Sequence, residues 1–204
     1  MTNRPETKRH KVLHLITGME VGGAEKMLLR LVPPMEGECE NRVCVIKGRG
    51  ALGARLEDCG IPVTYLELRR SFDLRSIVRF KRLVDEFKPD ILVTYLIHAD
   101  LFGRILGRAF GIRKVACYQR GSLLNWEFLR IVDRLTKPLV AKYITQTETA
   151  KEELKAALRI SGDLIAVIGN AVNRAAFDFT IDTSAKKRDF LFITWGIMVS
   201  TSNF

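Results

Sequence analysis

The chain reads as an α/β protein, a Rossmann-like, doubly wound and mostly parallel sheet with helices on both faces. Two observations predict it. Strand-like and helix-like segments alternate along the 204 residues. Several of the strand segments are continuously apolar instead of alternating, as strands covered on both sides must be.

A polar tail, residues 1–10, precedes the first strand at 12–17, which breaks at Gly18. Gly22-Gly23 then opens a helix whose apolar residues Ala24, Met27, Leu28, Leu31 and Met35 recur near i, i+3/4, i+7 spacing, and Pro33-Pro34 ends it early. Residues 43–46 form a second buried strand, closed by Gly48-Arg49-Gly50, and 52–59 a short helix. A third strand follows at 63–68, with Pro62 tolerated only at its start.

Asp73 is placed to cap a helix over 74–87, with Ile77, Phe80, Val84 and Phe87 on the buried side and Arg75, Arg79 and Arg82 opposite. The longest strand signal, 91–97, ends on His98. The helix after it, 100–110, is expected to turn Leu101, Ile105 and Leu106 to the sheet, with Gly103 and Gly107 as close-packing points one turn apart. The remainder reads as a strand at 114–118, a helix at 127–140 with Pro138 near its end, and a strand at 142–146. A helix at 148–158 capped by Thr147 and a last strand at 164–168 complete it, closing on Gly169-Asn170.

Composition narrows the function classes. The chain is 47% hydrophobic and 27% charged, ordinary for a soluble domain, and no apolar run reaches the length of a membrane span. The amino-terminal tail lacks the apolar core of a signal peptide, so the cytoplasm is expected. Cys39, Cys44, Cys59 and Cys117 lack C-x-x-C spacing and a companion histidine cluster, which argues against zinc and against a disulfide framework. The 33 Lys and Arg against 23 Asp and Glu leave a charge of +10 and a pI near 9.7. Phosphorylated small molecules and anionic lipid suit that balance, and so does plain solvation. Nucleic acid does not, for want of an RNP-like pattern, a zinc finger or a recognition helix. The arginine stripe of 74–87, preceded by Arg69-Arg70, suits lipid headgroups or solvent.

In an open parallel sheet, ligands bind outside the carboxyl ends of the strands. Gly22-Gly23, Gly48, His98, Arg120, Thr147 and Asn170 lie there. A strand feeding a helix presents free N–H groups and the positive end of the helix dipole, and adjacent glycines let a diphosphate approach, although they also serve a tight turn. The spacing is neither G-x-G-x-x-G nor G-x-x-x-x-G-K-[ST], which weakens nicotinamide and P-loop readings. His98 is the candidate catalytic residue, able to bond or deprotonate a substrate hydroxyl, or else to cap the helix after it. Arg120 can pair with phosphate or carboxylate, or lie in a surface loop. His14, inside a buried strand, reads as a hydrogen-bonded core imidazole.

Residues 11–18, Lys-Val-Leu-His-Leu-Ile-Thr-Gly, with 21–28, Val-Gly-Gly-Ala-Glu-Lys-Met-Leu, closely resemble the amino terminus of family 4 glycosyltransferases, which have the GT-B fold. Lys88-Pro89-Asp90-Ile91-Leu92, before a strand ending in His98-Ala99-Asp100-Leu101-Phe102-Gly103-Arg104, looks like the acceptor-side motif of that family. Ile168-Gly169-Asn170-Ala171-Val172-Asn173 looks like its interdomain hinge. The resemblance covers about residues 10–178.

It implies a glycosyltransferase acting on a nucleotide-diphosphate sugar and a glycan or lipid-linked acceptor, with retention and without a metal or further cofactor. Gly22 and Gly23 would meet the donor diphosphate, His98 would sit by the acceptor hydroxyl or the transferred sugar, and Arg120 and Asn170 would line the cleft. Residues 11–178 would be the amino-terminal Rossmann-like domain and 179–204 the truncated start of the donor-binding domain, poorly ordered or patched against the first and leaving the chain inactive alone. The alternative expectation is a non-catalytic, acceptor-binding subunit that docks a separate donor-binding chain. Peripheral contact with an anionic membrane fits either.

Overall fold

A computed structural model describes residues 9–68, 73–119 and 127–169, without the side chains of 127–130. They belong to a unit spanning Met1–Ala171. The second unit, Val172–Phe204, lies outside the described residues, as do the expected boundary at 178 and the expected stub at 179–204.

In chain order the elements are β1 (His10–Ile16), α1 (Gly23–Leu31), β2 (Cys39–Val45), α2 (Ala51–Asp58), β3 (Val63–Tyr65), α3 (Leu74–Phe87) and β4 (Ile91–Tyr95). There follow α4 (Ile97–Phe102), β5 (Lys114–Tyr118), α5 (Glu127–Thr136), β6 (Lys142–Thr145), α6 (Glu148–Leu158) and β7 (Ile165–Val167). The seven strands form one sheet in the order β3-β2-β1-β4-β5-β6-β7, with every neighbouring pair parallel. The chain steps outward from β1 to β3, and α3 then carries it back to β4 on the other side of β1. Strands β1 and β4 are therefore paired at the switch point, Ile16 beside Tyr95.

Parallel crossovers are right-handed as a rule, so a chain that leaves β1 first in one direction and then in the other covers both faces of the sheet with helices. On one face Ala24 and Leu28 of α1 and Leu52 and Leu56 of α2 pack on Ile16, Val43, Val45 and Tyr95. On the other, Phe80, Leu83 and Phe87 of α3 and Leu154 and Leu158 of α6 pack on Leu13, Leu15, Leu92 and Val115. Strand β1 is buried without a break from Val12 to Ile16, as its unalternating sequence requires.

Local signals set the element ends. The Asp73 carboxylate accepts from Arg75 N at 3.0 Å and starts α3, and the Thr147 hydroxyl accepts from Ala150 N at 3.1 Å and starts α6. Pro33 opens the 3-10 turn Pro33–Gly37 that ends α1, and Pro138 lies in the 3-10 turn Lys137–Leu139 that ends α5.

Helix α4 departs from expectation. Strand β4 stops at Tyr95 and the helix begins at Ile97, so His98 lies in a first helical turn instead of on a strand end. The helix runs on into a π-helical turn, Gly103–Gly107, and Ile105, expected against the sheet, is 50% exposed. Leu106 does pack against the core, partly buried, but the fully buried positions are Ala99, Asp100, Gly103, Arg104 and Gly107. The two glycines explain the rotation. A Cβ on Gly103 would stand 2.5 Å from Thr94 Cγ2, and one on Gly107 2.7 Å from Leu92 Cδ2. The helix backbone rests so close to the sheet that branched aliphatic side chains have no room beneath it.

Candidate functional site: the crevice between β1 and β4

Because Ile16 and Tyr95 are neighbours, the loop 17–22 and the turn 96–98 leave the sheet side by side, one toward α1 and the other toward α4. The first loop is braced by the chain after β2. Lys47 N donates to Thr17 O at 2.8 Å, and Leu52 N donates to Met19 O at 3.1 Å. Gly50 makes the brace possible. Its φ is 59°, and a Cβ there would overlap the backbone carbonyl of Met19. The conformational freedom of glycine is required at Gly50, whereas Gly22, at φ −137° and ψ 175°, is extended like any residue.

What Gly22 and Gly23 provide is access. Gly22 is the N-cap of α1, no side chain caps the helix, and Gly23 is exposed. The first-turn N–H groups and the positive end of the helix dipole are therefore left uncapped by side chains at the carboxyl end of β1. The Glu25 carboxylate lies over Gly22 in the space a Cβ would fill. At the base of the loop the Thr17 hydroxyl is buried and has no hydrogen-bond partner.

On the other side, His98 is exposed on the first turn of α4. Leu96, just before it, holds φ 72° and ψ 150°, a backbone region that L-residues rarely occupy. Backbone strain of this kind, about 1–3 kcal/mol, concentrates at functional turns.

His14 is the core imidazole that its position suggests. Nδ1 lies 3.0 Å from the Tyr95 hydroxyl and Nε2 3.1 Å from Asn41 Oδ1. Asn41 Nδ2 donates to Glu36 Oε1, so Oδ1 must accept, which places the His14 proton on Nε2 and makes Nδ1 the acceptor for Tyr95. Burial holds the His14 pKa down at about 4, against the Asn41 hydrogen bond, which raises it. The unfolded chain takes that proton near pH 6.5, so the stability contributed by neutral His14 is complete above 6.5 and lost as pH falls toward 4. The difference in unfolding free energy between the parent chain and His14→Gln should shrink by about 3 kcal/mol from pH 7 to pH 4 in paired urea titrations.

The paired comparison matters because a second buried group titrates the opposite way. Asp100 is 1% exposed, and burial pushes its pKa up to about 7 against the pull of Arg104 and of the Thr94 hydroxyl. Its Oδ1 accepts from Thr94 Oγ1 at 2.6 Å and its Oδ2 from Gln119 Nε2 at 2.7 Å. Arg104, 0% exposed, places Nη2 3.7 Å from Asp100 Oδ2 and donates from Nε to Cys117 Sγ at 3.1 Å. Its Nη1 donates to the fully buried Asp133 and to Thr136 Oγ1. Sequence reasoning missed this network, because charges four residues apart on a helix read as its solvated side. The signal was in Gly103 and Gly107, which mark the face against the sheet and carry Asp100 and Arg104 with them.

Arg120 and Asn170 lie outside the described residues. Gly48, with φ 64°, and the cap residue Thr147 are both exposed at the same ends of their strands. A groove of about 400 Å³ lies at the opposite end of the sheet, where Lys88, Pro89 and Gly111 flank the starts of β4 and β5. Among the described residues no three His, Cys, Asp or Glu side chains converge as metal ligands do.

The sequence model of Glycosyltransferase Family 4 matches residues 21–176 of this chain. The chain belongs to glycosyltransferase family 4. A curated relative of this family 4 chain, the capsular polysaccharide biosynthesis glycosyltransferase CapH of Staphylococcus aureus, is 25% identical over 166 residues, 80% of this chain and 42% of the relative. Among solved structures, Anabaena HepE in complex with UDP superposes with a TM-score of 0.65 at 20% identity, over 80% of this chain and 44% of that one. The lipopolysaccharide outer core galactosyltransferase WaaB, in its apo form, superposes with a TM-score of 0.60 at 16% identity, over 79% and 46%. The Rossmann-like half of a GT-B fold read from the sequence therefore holds, and the family 4 chain spans less than half the length of each of these proteins.

Proposed function

We propose that this family 4 chain is the acceptor-side half of a transferase that moves a sugar from a nucleotide-diphosphate sugar to a glycan or glycolipid in surface polysaccharide assembly. The observation that carries the reading is the crevice at the switch point, with an uncapped glycine helix start on one side and an exposed imidazole on the other. In it the first-turn N–H groups after Gly22 and Gly23 meet the donor diphosphate, where backbone donors and the helix dipole stabilise negative charge. The Glu25 carboxylate over Gly22 must swing away to admit it. His98 sits by the acceptor hydroxyl or the transferred sugar, and Arg120 and Asn170 complete the cleft. CapH and WaaB, by their names a capsular and a lipopolysaccharide enzyme, support the acceptor class, and UDP in HepE supports the donor class.

Amide NMR with added UDP tests the diphosphate assignment. The resonances of Gly22, Gly23 and Ala24 should move, those of Lys88 and Gly111 at the far end of the sheet should not, and Gly23→Val should weaken the response at least tenfold. Shifts spread evenly over the basic surface, or none at the glycine turn, would sink it.

A lipid-linked acceptor also gives the outer side of α3 a role. Leu74 and Val78 are 79% and 53% exposed beside Arg75 and Arg82, an arrangement that suits an anionic bilayer. Co-sedimentation with phosphatidylglycerol vesicles that fails to weaken in Leu74→Glu/Val78→Glu would refute that contact.

A further inference from the structure

The first turn of α4 carries His98 and lies just past the last paired residue of β4. Strand pairing ends with Tyr95 against Tyr118, and the next residue, Leu96, is in its rarely populated backbone conformation. Asp100 reaches back across Leu96. Its carboxylate accepts from Thr94, the last but one residue of β4, and from Gln119, the residue that follows β5. Arg104 faces the same carboxylate from one helical turn further on and is itself held by Cys117 of β5 and by Asp133 and Thr136 of α5. Its guanidinium carbon stands 5.4 Å from the centre of the Tyr143 ring.

We infer that Asp100 is a positioning residue, a buried staple across Leu96 that sets the first turn of α4, and with it His98, at the mouth of the crevice, with Arg104 as its anchor. The functional weight of the inference rests on the reading of His98 given above; the stapling itself does not. Packing alone gives no reason for a carboxylate at this site, since an apolar side chain would be buried at lower desolvation cost. What a carboxylate adds is direction. Two hydrogen bonds to donors on two different strand ends fix where the turn lies and not merely that it is covered. The far end of the same helix, by contrast, rests against the sheet through Gly107 and through Ile112 of the loop after it.

The test needs no substrate. Histidine labelled with 13C at Cε1 gives three resonances, from His10, His14 and His98, assignable by single His→Gln variants. In Thr94→Val, which removes one staple hydroxyl and no charge, the His98 resonance should shift and broaden, and amide exchange at residues 97–100 should accelerate at least tenfold. His14, on the other face of the sheet, should stay in place. Gln119→Leu should act in the same direction and Asp100→Asn more strongly, and if the last does not fold, the first two carry the test. The inference is overturned if folded Thr94→Val and Gln119→Leu leave His98 and the exchange at 97–100 unchanged. It is equally overturned if His14 and the amides of α6 respond as much as α4 does, which would mark a general stabilising role. Since UDP takes no part, failure here leaves the donor reading standing, and failure of UDP binding leaves the staple standing.

Discussion

Gly50→Ala should lower the unfolding free energy by about 4 kcal/mol, far more than glycine-to-alanine changes usually cost. Two effects add. An L side chain at φ 59° carries backbone strain, and the new Cβ would overlap the carbonyl of Met19, an obstacle made of backbone that cannot swing aside. Gly48→Ala is the matched control. Gly48 also has positive φ, at 64°, but nothing lies within 4 Å of where its Cβ would be, so only the strain of about 1 kcal/mol remains. Urea unfolding of both variants checks the difference, and equal losses would mean that the loop 17–22 is not braced by the chain after β2. Because that loop leads into Gly22, the Gly50 variant should also blunt the UDP response in whatever fraction stays folded.

Arg104→Met should cost a similar amount, about 4 kcal/mol, for an electrostatic reason. The methionine fills much of the same volume but leaves Asp133, 0% exposed, without the guanidinium it faces, and Asp133 already has one buried oxygen with no partner. Asp100 can neutralise itself at moderate pH, since burial already holds its pKa near 7, and so it contributes less to the loss. Removing the stranded charge as well, in Arg104→Met/Asp133→Leu, should recover at least half of the stability in the same urea titration. A double variant no better than the single one would place the cost in lost packing instead.

Legibility in the sequence followed the kind of signal available. Strand β5 was found residue for residue, because Gly111 and Gln119 bracket a short apolar run, and the α3 and α6 starts were found because Asp73 and Thr147 cap them. The sheet direction followed from strands without alternation. The sequence overextends β4 by two residues because Leu96 and Ile97 are good strand residues, and nothing local announces that Leu96 takes φ 72° and ends the strand there. Tertiary contacts decide that, through Asp100 and the close approach of Gly103. Around the switch point, topology singles out the glycine turn and His98, and Gly103 and Gly107 hint at the buried side that Asp100 and Arg104 share, whereas the parts of Thr17 and Gly50 become visible only once distant segments are brought together.

The pairing of β1 with β4 also bears on how the chain acquires its crevice. Val12 pairs with Ile91, so the turns that follow β1 and β4 meet only after a loop of about 80 residues has closed. Loop closure of that length is entropically costly and slow relative to helix formation and to the nearer pairing of β1 with β2. On a nascent chain, α1 and the glycine turn can therefore form while β4 is still being made, but the crevice cannot. Slow-folding variants of the β1/β4 seam should then accumulate as helical species in which the two turns are not yet side by side, a defect of assembly order.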